Sequence, residues 1–234
     1  MKILGIDTST PIGSVGLIDG DNLVAEYTLN ITHAHSSRLM PAIDQMLRWA
    51  NLTVHELDAC AVAVGPGSFT GVRIGVATIK SLCYAIKKPI IGVSTLAAIA
   101  YTLRYTDGLI CPILDARRNE VYGAIFHGGK TLERKSDDLC LPIEAFLDRI
   151  DGSTIFVGDG LKRYASAIRE RLGEATIFAD AIFNVPRGAN VARLGYERLQ
   201  KGEADDYFSI TPNYVRRGDL WTSEHRRGSE YVSV

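Results

Sequence analysis

The first thirty residues read as three apolar runs. Lys2–Ile6 is strand-like and ends in Asp7, Ser14–Ile18 alternates, Asp19-Gly20-Asp21 is a turn, and Leu23–Leu29 forms the third run. Period-two runs on either side of an Asp-Gly turn predict a hairpin. A helical period then covers His35–Ala50. It is followed by a strand at Ala59–Val64, a Gly-Pro-Gly turn at 65–67, a helix at Gly71–Ile86, a short strand at Ile90–Val93 and a third helix from Ser94.

The same order returns in the second half. Leu109–Leu114 is apolar and ends in Asp115, 108 residues after Asp7. Val121–Phe126 reads as a strand, 127–130 as a turn, and Thr131–Arg134 as a segment that pairs back. A helix is predicted near Pro142, a strand at Thr154–Val157, a Gly-Asp-Gly turn at 158–160 and a helix at Leu161–Leu172. A strand at Thr176–Phe178 and a helix over 189–200 close the series. Both halves read strand, strand, strand, helix, strand, helix, strand, helix. A repeat of this kind predicts an α/β protein of two similar lobes, each a mixed sheet with flanking helices. The order is that of the ribonuclease-H-like half-domain of the actin-like ATPase (ASKHA) fold, an analogy that carries no activity by itself. Expected boundaries are 1–106 for the N-terminal lobe, 107–215 for the C-terminal lobe, and a flexible tail over 216–234.

Two helices carry more apolar surface than a sheet can cover. On the 35–50 helix the apolar arc spans roughly 180°, against the roughly 100° that one packing face requires. On the 71–86 helix, Val72, Val76, Ile79, Leu82, Cys83 and Ile86 form one face. Ile74, Ala77, Tyr84 and Ala85 form a second, with Arg73 and Lys80 dividing the two. A second face with small residues and one Tyr reads either as intramolecular packing or as an interface. The residues expected at a partner are Arg38, Ala42, Gln45, Met46 and Trp49 on the first helix and Arg73, Ile74, Ala77, Lys80, Ser81 and Tyr84 on the second.

Composition narrows the class. The 234 residues carry 26 Lys plus Arg and 27 Asp plus Glu, a formal charge of −1, without the basic excess of a protein that grips nucleic acid alone. The longest run without charge, Pro89–Leu103, is too short to span a bilayer, and the N-terminus predicts no secretory leader. The expected address is the cytoplasm, with no membrane contact. Cys60, Cys83, Cys111 and Cys140 are far apart and lack a CxxC, so free thiols are expected.

Candidate chemistry is sparse. In an actin-like fold an Asp at the end of each first strand holds Mg²⁺ or activates water, which nominates Asp7, with Thr8 beside it, and Asp115. Gly65, Gly67, Gly158 and Gly160 are the candidate phosphate-side glycines. Against this, the DTSTPIG loop is glycine-poor and Pro11 removes a donor. GPGSFTGVRIG at 65–75 lacks dinucleotide spacing. It reads equally as an anion-binding helix start or as a tight, well-capped crossover. No P-loop or GxSxG elbow occurs. His33 and His35 diverge on either a strand or a helix, and His55, His127 and His225 are isolated, so no metal site is expected. Asp115–Tyr122 could use Arg117 and Arg118 on phosphate or RNA, or form local ion pairs.

Five segments together, GIDTST, HSSRLMPAID at 35–44, GPGSFTGVRIG, GVSTL at 92–96 and DARRNEVY at 115–122, resemble the bacterial TsaB (YeaZ type) family of tRNA threonylcarbamoyladenosine biosynthesis proteins. PNYVRR at 212–217 is similar to that family's closing P-x-Y-x-R. The resemblance covers residues 1–215. It implies a non-catalytic subunit in threonylcarbamoyl transfer to adenosine 37 of tRNAs reading codons that begin with A. It further implies pairing with the catalytic paralogue TsaD, assembly with the ATPase TsaE, homodimerisation when alone, and contact with tRNA only through the complex. No cofactor is expected to be tightly bound, and ATP or ADP would act at the level of the complex. The paralogue's HxxxH metal motif falls on Thr95 and Ile99 here, neither of which can replace an imidazole. Two alternatives are a free-standing ATP-dependent phosphotransferase of the same fold and a metallopeptidase.

Overall fold

The computed structural model describes residues 1–30 and 35–216. The tail expected over 216–234 therefore lies outside the described residues except for Arg216, as does His33.

The first lobe is built from β1 (Lys2–Asp7), β2 (Ile12–Asp19), β3 (Asn22–Asn30), α1 (His35–Trp49), β4 (Ala59–Gly65), α2 (Phe69–Ile86), β5 (Ile90–Ser94) and α3 (Thr95–Tyr101). Its sheet has the order β3-β2-β1-β4-β5. The hairpin strands are antiparallel, and β1, β4 and β5 are parallel. The second lobe comprises β6 (Gly108–Arg117), β7 (Glu120–Gly123), β8 (Phe126–Gly128), β9 (Glu133–Arg134), β10 (Leu139–Pro142), α4 (Ile143–Leu147), β11 (Thr154–Val157), α5 (Leu161–Leu172) and β12 (Thr176–Phe178), and α6 (Gly188–Gln200) follows. The main path of its sheet is β10-β7-β6-β11-β12, which repeats the first order strand for strand.

Two details of the second lobe depart from expectation. The strand expected at Val121–Phe126 is split into β7 and β8, which share one register on β6. The gap falls where Ala124 faces Pro112, which has no N–H to donate to the ladder. The third strand of the unit is β10, paired with β7, which the sequence pattern did not reveal.

Period two decides which helix covers which face. In β4, Cys60 and Val62 join Leu4, Ile6 and Leu17 under α1 and α2, while Ala59, Ala61 and Ala63 line the opposite face with Val191 and Ala192 of α6. That opposite face is thin, so α6 lies directly on the sheet. A Cβ on Gly5 would stand 2.3 Å from the Ala192 backbone nitrogen, and one on Gly16 would stand 2.1 Å from that of Ala189.

The two sheets separate near 107, but two helices pack across that boundary. Helix α6 packs on β1, β2, β4 and β5 of the first lobe, and α3 places Leu96, Ile99 and Ala100 against Ile110, Leu114 and Phe126 of the second sheet. Helices α4 and α5 cover the other face of that sheet through Phe146, Leu147, Tyr164 and Ile168. By length and composition α2 could cross a membrane. In the fold one face of it is buried on the sheet through Val72, Val76, Ile79 and Cys83, and the other is open.

Candidate functional site

The cleft between the lobes starts at the loop after β1. Asp7 is fully buried, and its Oδ1 accepts the Ser9 N–H (2.8 Å) and the Ser9 hydroxyl (2.6 Å). Thr8 donates its hydroxyl to the Gly71 carbonyl (2.8 Å), and the Ser68 N–H donates to the Ser9 carbonyl (2.6 Å). The start of α2 is thus clamped onto this loop. A Cβ at Gly67 would lie 2.4 Å from the Ser9 carbonyl oxygen, at Gly71 2.0 Å from that of Thr8, and at Gly75 2.4 Å from the Thr8 hydroxyl. Ser68 caps the helix by accepting the Gly71 N–H. Of the two readings of GPGSFTGVRIG, the tight crossover is the one that forms.

A cleft of about 530 Å³ lies beyond this clamp, with Gly67, Asp115, Arg117, Asp159, Lys162, Arg163 and Arg216 in its lining. Only Gly67 and Asp115 of the seven nucleotide-side candidates are in that lining. Asp7 is turned into its own loop, Thr8 bonds to Gly71 of α2, and Gly65 faces the Asn213 carbonyl. The Gly158 N–H donates to Asn184 Oδ1 (2.7 Å), and the Gly160 N–H donates to the Ile113 carbonyl (3.1 Å). The Gly158 and Gly160 N–H groups and one oxygen of the Asp7 carboxylate are thus engaged within the protein.

The cleft's remaining charges largely satisfy one another. Asp115 accepts the Arg117 N–H (2.8 Å) and lies 3.5 Å from the Arg117 guanidinium and 3.8 Å from that of Arg163. Asp159 accepts the Asp115 N–H. Burial pushes the Asp159 carboxyl above the ordinary aspartate value and the charge of Asp115 adds to this, while the backbone hydrogen bond opposes it. Arg117, Arg118 and Asn119 all have positive φ, at 64°, 52° and 63°. Only a tight turn between β6 and β7 justifies three such residues without glycine.

The second region is the outer face of α1 and α2. Trp49 is 69% exposed, Tyr84 60%, and Arg38, Gln45, Arg73, Ala77 and Ser81 are exposed as well. Ala42, Ile74 and Lys80 are half-buried. Met46 corrects the expectation. At 2% exposure its side chain belongs to the core under α1, because it sits one turn after Ile43 and two turns after Leu39 on the sheet side.

Segment 205–216, which was not anticipated here, borders this face. Asp205 bonds to Ile90 and Gly92 of β5, and the Asn213 N–H donates to the Val64 carbonyl. Lys80 donates to the Phe208 carbonyl (2.9 Å), and the Arg73 Nε–H donates to the Tyr214 hydroxyl (2.6 Å). Tyr84 meets the rings of Tyr207 and Phe208 edge-on. Arg216 then reaches the second lobe, donating to the Ala116 carbonyl (2.7 Å) and pairing with Glu120. The closing P-x-Y-x-R and the DARRNEVY segment, far apart in sequence, are therefore joined by one arginine. The only signal of this in the sequence was the pair of motifs themselves.

Comparison with known proteins agrees with this architecture. Residues 22–222 match the family model described as "TsaD: tRNA N6-adenosine threonylcarbamoyltransferase". The chain is 35% identical over 220 residues to the Bacillus subtilis tRNA threonylcarbamoyladenosine biosynthesis protein TsaB, covering 92% of this chain and 94% of that protein. The chain belongs to the TsaB family. A Pseudomonas aeruginosa structure, described as an uncharacterized protein with similarity to peptidase YEAZ, superposes with a TM-score of 0.79 at 26% identity, covering 92% of this chain and 99% of that one. A ROK hexokinase from Thermus thermophilus (TM-score 0.50, 14% identity, 86% of this chain and 100% of that one) shares the fold alone. The chain thus has an actin-like framework; Thr95 and Ile99 are both buried, Ile99 in the cluster between α3 and the second sheet. Among the described residues no three His, Cys, Asp or Glu side chains gather into a group able to hold a metal ion.

Proposed function

We propose that this chain serves tRNA threonylcarbamoyladenosine biosynthesis in the cytoplasm as a non-catalytic subunit that docks its catalytic paralogue through the outer face of α1 and α2. The observation that carries the reading is the exposed stripe of Trp49, Ala77, Ser81 and Tyr84 on helices whose other face already fills the core. Exposed aromatics beside small residues suit a second pair of helices packing at close range. The inward-turned Asp7 and the clamp on α2 support assigning the chemistry to the partner. The docked chain favours the partner's competent state only in so far as it binds that state more tightly. An ATPase of the TsaE type joins this assembly, tRNA reaches the chain through it, and ATP or ADP acts at that level. In isolation the same face pairs two copies of the chain.

Reconstitution tests the reading. Purified paralogue, TsaE-type ATPase, threonylcarbamoyl-adenylate source and tRNA are combined with and without this chain, and modified adenosine is measured by mass spectrometry. Product that forms only when the chain is present is the expected result. Product that forms equally without it, or with this chain in place of the paralogue, contradicts the reading.

A further inference from the structure

We infer that the surface made by α2 and segment 205–216 selects a partner helix that carries carboxylates among apolar side chains. The inference rests on the docking reading above and adds to it the charge of the partner. Four aromatic side chains lie open along this surface: Phe69 (55% exposed), Tyr84, Phe208 (69%) and Tyr214. Two cations are set among them. The Arg73 guanidinium carbon stands 3.8 Å over the centre of the Phe69 ring while its Nε–H bonds to the Tyr214 hydroxyl. Lys80 is held by the Phe208 carbonyl. Both partners are neutral, so each cation is positioned without being neutralised. A stacked guanidinium keeps its outer N–H groups free in the ring plane, the geometry that takes a carboxylate in two hydrogen bonds.

The charge balance argues against a second copy as the best occupant. Within α1 and α2 the charged residues are Arg38, Arg48, Arg73 and Lys80 against Asp44, so four cations less one acid leave +3. Asp44 is already bound to Arg48 (2.9 Å). In the bordering segment Asp205 is paired with Arg198 and Arg216 with Glu120, whereas exposed Asp206 accepts the neutral Phe208 N–H and keeps its charge, which brings the balance of the two helices and this segment to +2. Two-fold pairing would set +2 against +2, whereas an acidic helix pair complements it. Single-stranded RNA is also anionic, but Ala42, Ala77 and Ala85 give this face the shallow relief that close helix packing uses, and it has only a few cations to follow a phosphate chain.

The test is the double variant Arg73→Gln/Lys80→Gln of the full chain, compared with wild type by analytical ultracentrifugation, alone and with the catalytic paralogue. Pairing with the paralogue should weaken by about ten- to a hundredfold, and self-pairing should tighten, because attraction is lost in one case and repulsion in the other. Raising salt from about 50 to about 500 mM should shift wild-type pairing in the same two directions. Thermal melts matching wild type confirm that the variant folds. Equal weakening of both pairings, or unchanged pairing with the paralogue, overturns the inference. Loss of tRNA binding with paralogue pairing intact overturns it in favour of an RNA surface. If Ala77→Glu also leaves paralogue pairing intact, the docking reading itself has failed. If Ala77→Glu abolishes pairing and the charge variant does not weaken it, only the charge inference has failed.

Discussion

Helices α2 and α5 follow equivalent strands in two lobes of the same strand order, after Gly-Pro-Gly and Gly-Asp-Gly turns, yet they meet solvent differently. Helix α5 has twelve residues, five of them charged. Its outer positions include Lys162, Arg163, Ser166 and Glu170, while Leu161, Tyr164 and Ile168 are buried. Helix α2 has eighteen residues and only two charges, and it presents Ala77, Ser81 and Tyr84 outward. Both bury a face on their sheet, so the requirement of the core is met in each. The surplus on α2 is not needed for folding and calls for an explanation outside the lobe. The glycines differ as well. Gly71 and Gly75 let α2 lie on the β1 loop, and the first turns of α5 have no counterpart to them.

This contrast can be broken at several points. The largest effect should come from Gly75→Val, whose new side chain meets the Thr8 hydroxyl on a clamped loop. A loss of about 3 kcal/mol or more is expected in chemical denaturation, while Ala167→Val, half-buried on α5, should cost under about 1 kcal/mol. Next is Trp49→Ala. The side chain is mostly exposed, so unfolding should shift by less than about 0.5 kcal/mol. Binding to the catalytic paralogue, followed by calorimetric titration, should nevertheless weaken about tenfold or more, as for an aromatic at an interface centre. The smallest effect concerns Asp159. Its folded-state carboxyl holds a proton more tightly than in the unfolded chain, so its ionisation costs stability as pH rises from the ordinary value of 3.8 through the raised one. Asp159→Asn keeps the oxygen that accepts the Asp115 N–H. It should raise the melting temperature at pH 7 and have no such effect near pH 3.

Much of this architecture was legible in the chain. Thr154–Val157 is a short apolar run, Leu161–Leu172 carries a period of 3.6, and both appear where expected. Strand β10 was missed because its four residues are half-buried or exposed without alternation, and Pro142 drew the reading toward a helix start. The destination of α6 was not legible either. Which sheet a helix covers depends on a complementary surface elsewhere, here Gly5, Gly16 and the alanines of β4. The site was legible in outline only. The double face of α2 was visible on a helical wheel, whereas Met46, which lies beside Leu39 and Ile43 on the wheel of α1, was expected at the partner and is in the core. Nothing in the spacing of Tyr207, Phe208 and Tyr214 announced that they would border α2.

The most direct test sets the two helices against each other. Ala77→Glu and Ser166→Glu each place one carboxylate on the exposed side of a helix, and both variants should melt like wild type. In analytical ultracentrifugation with the catalytic paralogue, Ala77→Glu should abolish the complex and Ser166→Glu should leave it unchanged. A complex that survives Ala77→Glu at wild-type affinity, with the variant folded, contradicts the account.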